Sequence, residues 1–154
     1  MDAIWNTERV IEHTACVARS LKHWTGRELV GENVGPLEMA RAVFNAPFAL
    51  VSHGTQADPV LNYGNQTALN LWEMSWEELT RTPSRFTAEL PNREERARLL
   101  ATVTQRGFID DYSGVRISKS GRRFRITRAT VWNLITERGQ PCGQAAMFDL
   151  WEMI

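Results

Sequence analysis

The residues best suited to binding chemistry in this chain are arginines in or near one stretch of alternating apolar and polar residues: Arg85, Arg116, Arg123, Arg125 and Arg128. Alternation along a strand would place Arg128 on the face opposite Arg123 and Arg125. An arginine that points into a cavity, such as Arg116 or Arg128, would anchor a ligand carboxylate or phosphate. The alternative, which we favour, is pairing across a sheet with Glu89, Asp110 or Asp111. If the chain binds a small molecule, an acidic metabolite is the expected class.

Patterns for metal binding and catalysis are weaker. His13 and Cys16 are spaced to share one helix face, but two ligands do not make a metal site. Asp110 and Asp111 are adjacent in a predicted strand, so their carboxylates point to opposite faces. Ser113 follows with no histidine nearby in the sequence to activate it. We expect no metal site and no catalytic set, although an enzyme built from residues distant in sequence stays an alternative.

Length and composition indicate one globular domain. The chain has 154 residues, 43% of them hydrophobic and 23% charged, and a chain of this size can bury a core without disulfides or metals. Its two cysteines, Cys16 and Cys142, are too few for a disulfide framework, so we expect a reduced, cytoplasmic protein. The first residues do not resemble a signal peptide, and no apolar stretch approaches the roughly 18 residues of a membrane span.

The net charge is zero, but the acidic and basic residues are unevenly distributed along the chain. Residues 1–80 contain five Lys or Arg against ten Asp or Glu, whereas residues 92–128 contain ten against four. A basic face can attract nucleic acids, but domains that bind them are usually basic overall. We therefore interpret the basic segment as a solvated sheet surface and expect no nucleic-acid partner.

The first part of the chain predicts two helices. Residues 7–25 carry an apolar stripe at three- and four-residue steps and end at Gly26. A shorter helix begins at Pro36, a favoured residue of the first turn. The stripe has more apolar positions than a free surface helix should expose. It should therefore pack on the sheet or on a second subunit, and a homodimer through this helix is one prediction.

The remainder predicts short strands and helices, followed by long strands. Strands are predicted over residues 48–52 and 59–63, and helices begin at caps Asn65 and Asn92 and at the capping box of Ser75. Three longer strands are predicted over about 108–117, 122–136 and 142–151. Adjacent long strands joined by short turns favour an antiparallel sheet in an α+β fold.

Several stretches resemble known domains in the correct order. Tyr63-Gly64-Asn65-Gln66-Thr67-Ala68-Leu69, followed by Ser75-Trp76-Glu77-Glu78-Leu79, resembles the strand-to-helix passage of PAS domains. More closely, the chain resembles the MEKHLA family, a PAS-related domain of small bacterial proteins and of plant class III homeodomain–leucine zipper proteins. That resemblance covers about residues 37–151 and lies in the stretches 83–85, 108–117, 131–133 and 143–146.

The resemblance implies a PAS-like, five-stranded antiparallel sheet with short helices on one side. The N-terminal helix lies outside the matched stretches, so we expect an added helical extension over residues 1–35, followed by a MEKHLA/PAS-like domain over 36–154. Such domains hold a ligand between sheet and helices, so we expect this space to be lined by Leu50, Trp72, Trp76, Phe86, Leu100, Val103, Arg116, Ile126, Arg128, Trp132 and Met147. Each apolar member is alternatively ordinary core. Asn133 and Gln144 would add oriented polar contacts.

The cofactors of PAS relatives are not expected here. A flavin sensor of the light-oxygen-voltage type needs a reactive cysteine after the capping box, and residues 83–89 contain none. Haem-binding PAS domains commonly use a histidine on the long helix, and residues 92–106 contain none. We interpret the chain as a sensory or interaction module that binds a small molecule or a partner. The alternatives are an enzyme that uses the same cavity and a pure dimerisation module with a filled core.

Overall fold

The structure is a computed structural model that describes residues 3–154, except for the side chain of Leu90. Its α-helices are α1 (Glu8–Thr25), α2 (Pro36–Phe44), α3 (Gln66–Trp72), α4 (Trp76–Leu79) and α5 (Leu90–Arg106), and a 3₁₀ turn covers Ser84–Thr87. Its strands are β1 (Ala49–His53), β2 (Leu61–Gly64), β3 (Phe108–Ile117), β4 (Arg123–Ile135), β5 (Pro141–Phe148) and β6 (Leu150–Met153). Over residues 3–154, every helix is too short or too polar to cross a bilayer.

The strands form one antiparallel sheet in the order β2–β1–β5–β4–β3, with β6 also paired to β4. The predicted α+β fold with an antiparallel sheet is confirmed. The last predicted strand is divided at Asp149, because β5 and β6 pair with different parts of β4. Next to this break, Arg128 has a φ of 55° and lies where the pairing of β4 with β3 shifts register. Such an irregularity reorients the side chains around it.

One face of the sheet, called here the outer face, is covered by α1 and α2. Helix α1 begins after Thr7, whose side chain accepts a backbone hydrogen bond, and ends at Gly26 with a φ of 75°. Its apolar stripe, including Val17 and Leu21, is buried on the chain's own sheet. Trp132 of β4 is fully buried beneath α1, and its Nε1 donates to the Val17 carbonyl oxygen at 3.2 Å.

The opposite face, called the inner face, packs against α3, α5 and the 3₁₀ turn. Fully buried Asn65 joins α3 to its neighbours. Its Oδ1 accepts from the amides of Ala68 and Leu50, and its Nδ2 donates to the carbonyl oxygens of Val43 and Phe48. The predicted cap of α3 is therefore confirmed, and it also holds the start of β1 in place.

The sequence predicts the start of α4 but not the start of α5. The capping box is present, with Ser75 and Glu78 bonding each other's backbone amides. The prediction that Asn92 caps α5 is wrong, because the N-cap is Glu89, three residues earlier. Pro91 lies in the first turn, where its missing N–H leaves no helical hydrogen bond unmade.

Candidate functional site

A cavity of about 60 Å³ lies on the inner face, between the sheet and α5. Its apolar wall includes Leu99, Leu100, Ile126, Val131 and Phe148. Its polar lining includes His53, Arg96, Tyr112, Arg116 and Gln144. A single water needs roughly 10–15 Å³ by the same kind of measure, so the space suits a ligand of only a few non-hydrogen atoms.

Two arginines border the cavity, of which Arg116 is buried and Arg96 is half-buried. Arg116 of β3 is 6% exposed, and its guanidinium donates to the Tyr112 hydroxyl at 3.0 Å and to the Val115 carbonyl oxygen at 2.9 Å. Arg96 of α5 donates to the Ser84 hydroxyl at 2.7 Å. Burial, followed by the positive charge of Arg116, lowers the pKa of Arg96 to about 10, so it stays cationic at neutral pH. In the described part of the chain, neither guanidinium forms an ion pair.

The position of Arg116 depends on Tyr112 and Gly114, which precede it on the same strand face. The Tyr112 hydroxyl accepts from Arg116 and donates to the Glu95 carboxylate of α5 at 3.0 Å. A Cβ atom at Gly114 would lie 2.1 Å from that hydroxyl oxygen. Glycine is therefore required here, since the tyrosine side chain lies across this position to reach α5 and the guanidinium.

Two buried nitrogen atoms at the cavity have no hydrogen-bond partner: His53 Nε2 and Trp72 Nε1. His53 is 8% exposed, and its Nδ1 lies 2.9 Å from the Gly54 carbonyl oxygen. Burial lowers the pKa of His53, the bond to Gly54 opposes this, and the nearby Arg96 charge lowers it further. Buried polar atoms without partners are uncommon and often mark a place where a ligand or water binds.

A pair of side-chain amides joins α5 to the sheet beside the cavity. Gln144 of β5, which borders the cavity, donates to the Leu100 carbonyl oxygen at 3.1 Å and to the Asn133 side chain at 3.0 Å. Asn133 in turn donates to the Val103 carbonyl oxygen at 2.9 Å. The N–H groups of both amides therefore have acceptors within the protein.

The structure brings some of the predicted site residues together and separates the others. Trp72, Leu100, Arg116 and Ile126 border the cavity. Leu50, Trp132 and Met147 lie on the outer face instead, because successive side chains of a strand point to opposite sides.

The remaining predicted residues also lie away from the cavity. Trp76 packs edge-on against Tyr63 at 5.5 Å between ring centroids, beside α1. Phe86 is 44% exposed, and Val103 is fully buried against Val131 without bordering the space. Arg128 is exposed, since the irregular backbone at this residue turns it away from the cavity. A ligand-binding role for any of these residues stays a prediction.

Sequence reasoning missed Arg96, Tyr112 and His53. Arg96 precedes Leu99, Leu100 and Val103 by three, four and seven positions, so it falls within the apolar stripe of α5. An arginine on the apolar face of a helix predicts that its charge will lie at least partly inside the protein. His53 is the last residue of β1, one residue beyond the strand predicted over residues 48–52.

The expected ion pairs of the arginines are partly present. Arg123 pairs with Glu89, whose Oε1 lies 2.5 Å from Nε, while Asp110 and Asp111 are exposed. Over residues 3–154 there is no cluster of three or more ligating side chains that could hold a metal. The two cysteines, distant in sequence, lie with their Sγ atoms 3.8 Å apart on the outer face.

The fold places the chain in the class of PAS-like domains. A PAS domain of a protein from Colwellia psychrerythraea superposes with a TM-score of 0.60, at 18% identity, over 75% of this chain and 92% of that one. The light-state dimer of the fungal photoreceptor Vivid gives 0.59 at 13% identity, over 92% and 94% of the two chains. An RNA-binding light-oxygen-voltage receptor gives 0.63 at 16% identity, over 80% and 36%.

The sequence narrows this class to one family. The model of the MEKHLA domain matches residues 11–153, so the chain belongs to the MEKHLA family, as predicted. The match begins within α1, and a domain boundary at residues 35–36 stays a prediction. The homeobox-leucine zipper protein ATHB-14 of Arabidopsis thaliana is 26% identical over 142 residues, which are 90% of this chain and 17% of that protein. The chain thus spans a small part of the length of this relative.

The flavin of light-oxygen-voltage domains does not fit this cavity. Its volume of about 60 Å³ is far below the roughly 300–1,000 Å³ of typical cofactor sites. Among the residues described, no cysteine borders the cavity, since Cys16 and Cys142 both lie in the outer-face cluster. The chain shares the fold of these photoreceptors, and its cavity is smaller than a typical cofactor site.

Proposed function

We propose that this chain is a sensory module that binds a small anion in the inner-face cavity. The observation that carries the proposal is the pair Arg96 and Arg116, a half-buried and a buried cation at one cavity, neither of which has an ion-pair partner in the described part of the chain. Burying like charges together destabilises a protein unless an opposite charge compensates them. A bound anion would remove this repulsion, as a carboxylate does in a buried ion pair.

The chemistry of the cavity favours a small carboxylate. Arginine and tryptophan N–H groups only donate hydrogen bonds, so Arg96, Arg116 and Trp72 all suit an acceptor. Guanidinium groups bind planar carboxylates particularly well. The volume of about 60 Å³ limits the ligand to a few non-hydrogen atoms, and the apolar wall suits a short hydrocarbon portion.

A signal from the cavity would reach α1 through the strands between them. On β1, His53 borders the cavity, while its neighbour Ser52 lies 2.8 Å from His13 Nε2 of α1. On β4, the Asn133 carbonyl oxygen accepts from Trp24 Nε1 of α1 at 2.9 Å. A ligand that moves these strands would therefore change the bonds that hold α1.

Thermal unfolding with small anions tests the proposal. The probes are formate, acetate, propionate and inorganic phosphate. An anion present at about a hundred times its Kd should stabilise the fold by about 2.7 kcal/mol, which corresponds to roughly 5–10 °C in Tm. Native mass spectrometry of the purified protein would identify any molecule that stays bound.

Variants distinguish the cavity from the surface. Arg116→Met should abolish the Tm increase, whereas Arg98→Met, an exposed arginine of the same helix as Arg96, should keep it. No increase with any anion, or an equal increase in Arg116→Met, would contradict the proposal.

An enzyme that uses the same cavity is the second candidate. One observation favours it: His53, an ionisable group with a lowered pKa, borders the cavity. Incubating the protein with the ligand found by mass spectrometry and analysing the products separates the two functions. An unchanged ligand supports the sensor.

A homodimer and a cytoplasmic location stay predictions. The apolar stripe of α1 is buried on its own sheet, so a dimer would need other residues of this helix or of the sheet. Sedimentation equilibrium measures the oligomeric state directly, and a monomer at micromolar concentration would remove the dimer.

A further inference from the structure

The tautomer of His53 adds a requirement for the ligand. Its Nδ1 lies 2.9 Å from the Gly54 carbonyl oxygen, which can only accept, so Nδ1 carries the proton. In the neutral ring Nε2 is then an acceptor, and it has no partner although the residue is only 8% exposed. A buried acceptor at the edge of a cavity requires a hydrogen-bond donor.

The surroundings of His53 favour the neutral ring, and none of the described residues bonds to its Nε2. Arg96 of α5 is the charged neighbour, and its positive charge, together with burial, disfavours protonation. Gln144 lies directly across from His53 on β5, but its amide donates to Leu100, Thr104 and Asn133. A ligand that occupies the cavity can therefore supply the donor that Nε2 lacks.

We propose that the cavity binds a small hydroxy acid, whose carboxylate is held by Arg96 and Arg116 and whose hydroxyl group donates to Nε2 of His53. This inference rests on the anion site proposed above. His53, Arg96 and Arg116 border one cavity of about 60 Å³, so the carboxylate and the hydroxyl group must be near each other in the ligand. A 2- or 3-hydroxy acid satisfies this, and it leaves the second orphan atom, Trp72 Nε1, to donate to a ligand oxygen.

Isothermal titration calorimetry with matched acids tests the hydroxyl group. The pairs are glycolate against acetate and lactate against propionate, each differing by one hydroxyl. A site built around a ligand hydroxyl discriminates strongly against the analogue without it, because a buried partner is left unpaired. We expect the hydroxy acid of each pair to bind at least tenfold more tightly.

Two substitutions at one position provide the control. In His53→Asn, the amide can still donate to the Gly54 carbonyl oxygen, but Nε2 is removed. Lactate affinity should fall to that of propionate, while propionate affinity stays within twofold of the wild type. In His53→Gln, the longer side chain places an amide oxygen near the position of Nε2, so at least part of the preference for lactate should be kept.

The outcomes separate this inference from the anion site. Equal binding of lactate and propionate to the wild type overturns the hydroxyl contact and leaves the anion site intact. Failure of every anion to bind overturns both. Titration in buffers of different ionisation enthalpy should show no proton uptake on binding. Uptake of one proton per ligand, lost in His53→Asn, would show that His53 becomes a cation, and it would overturn the acceptor role.

Discussion

The outer and inner faces of the sheet carry similar aromatic side chains in different surroundings. Trp132 on the outer face is fully buried, and its indole N–H donates to a backbone carbonyl oxygen of α1. Trp72 on the inner face is 2% exposed, and its N–H has no partner in the described structure. The outer face has one comparable atom, the Tyr63 hydroxyl, beside a surface groove rather than at the cavity.

The comparison shows that burial of a tryptophan does not by itself mark a binding site. Both indoles are removed from water, but only Trp72 lies at a cavity with two uncompensated arginines. The two faces differ in hydrogen bonding and charge. On the outer face, α1 supplies the acceptor for the indole N–H of Trp132, whereas on the inner face the indole N–H of Trp72 has no acceptor in the described structure. Each prediction below tests this contrast.

The largest difference is expected for matched leucines. Leu50 is fully buried in the outer-face cluster, whereas Leu100 is half-buried and borders the existing cavity. Leu50→Ala should lower the free energy of unfolding by about 3–4 kcal/mol, and Leu100→Ala by about 1–2 kcal/mol, because the second removes fewer contacts. Urea denaturation measures both values. Equal losses would mean that the two faces are equally well packed.

Oxidation should join α1 to β5 on the outer face through a disulfide between Cys16 and Cys142. The Sγ atoms of Cys16 on α1 and Cys142 on β5 are 3.8 Å apart, so a small side-chain rotation can bring them to bonding distance. A disulfide here should stabilise the fold by roughly 2–4 kcal/mol, reversibly with dithiothreitol. Burial, with the neighbouring thiol, raises the pKa of Cys142 to about 11, so oxidation should be faster at high pH.

Cys16→Ser is the control for this oxidation. Non-reducing mass spectrometry after oxidation should show the loss of two hydrogen atoms in the wild type only. An unchanged mass of the wild type under strong oxidation would indicate that α1 is not held against β5 as described.

Acid should weaken the outer face through His13. Burial, followed by the positive charge of Arg9, lowers the pKa of His13 to about 4, against about 6.5 in an unfolded chain. Between these values the unfolded chain binds more protons, so stability falls as pH falls from about 6.5 to 4. The loss should be roughly 2–3 kcal/mol.

His13→Gln isolates this contribution. The glutamine can keep a hydrogen bond to Ser52 without titrating, so the difference in stability between wild type and variant should depend on pH. Chemical denaturation at pH 7 and pH 4.5 gives the comparison. A difference that is the same at both values would show that His13 is not held neutral.

The smallest effects are expected at two adjacent alanines of β5. Ala145 lies in the outer-face cluster, and Ala146 borders the cavity on the other side of the strand. Ala145→Val should cost about 1–2 kcal/mol through overpacking, whereas Ala146→Val should be neutral or slightly stabilising because it fills space. Ala146→Val should also weaken anion binding. If Ala146→Val were the more destabilising of the two substitutions, the free space would lie on the outer face and not on the inner face.

Much of the fold could be predicted from the sequence, and less of the site. The family resemblance predicts the sheet and the order of the helices, while Asn65 and Ser75 reveal helix starts through local hydrogen bonding. The predicted cavity lining placed outer-face and inner-face residues together, because alternation says which side chains oppose one another but not which face is covered by α1. Arg96 was not predicted at the cavity, because its place beside Arg116 depends on how α5 packs against β3.

Properties that depend on neighbours along the chain follow from the order of the residues: the caps at Asn65 and Ser75, the turns and the apolar stripe of α1. The pairing of arginines with acids depends instead on how the chain folds in three dimensions. Arg123 meets Glu89, whereas Arg96 and Arg116 meet each other's positive charge across the cavity. The physical reason is that charge pairing and orphaned polar atoms depend on distances between segments far apart in sequence. At Arg128 the irregular backbone also changes the direction of the side chain, which regular alternation along a strand does not predict.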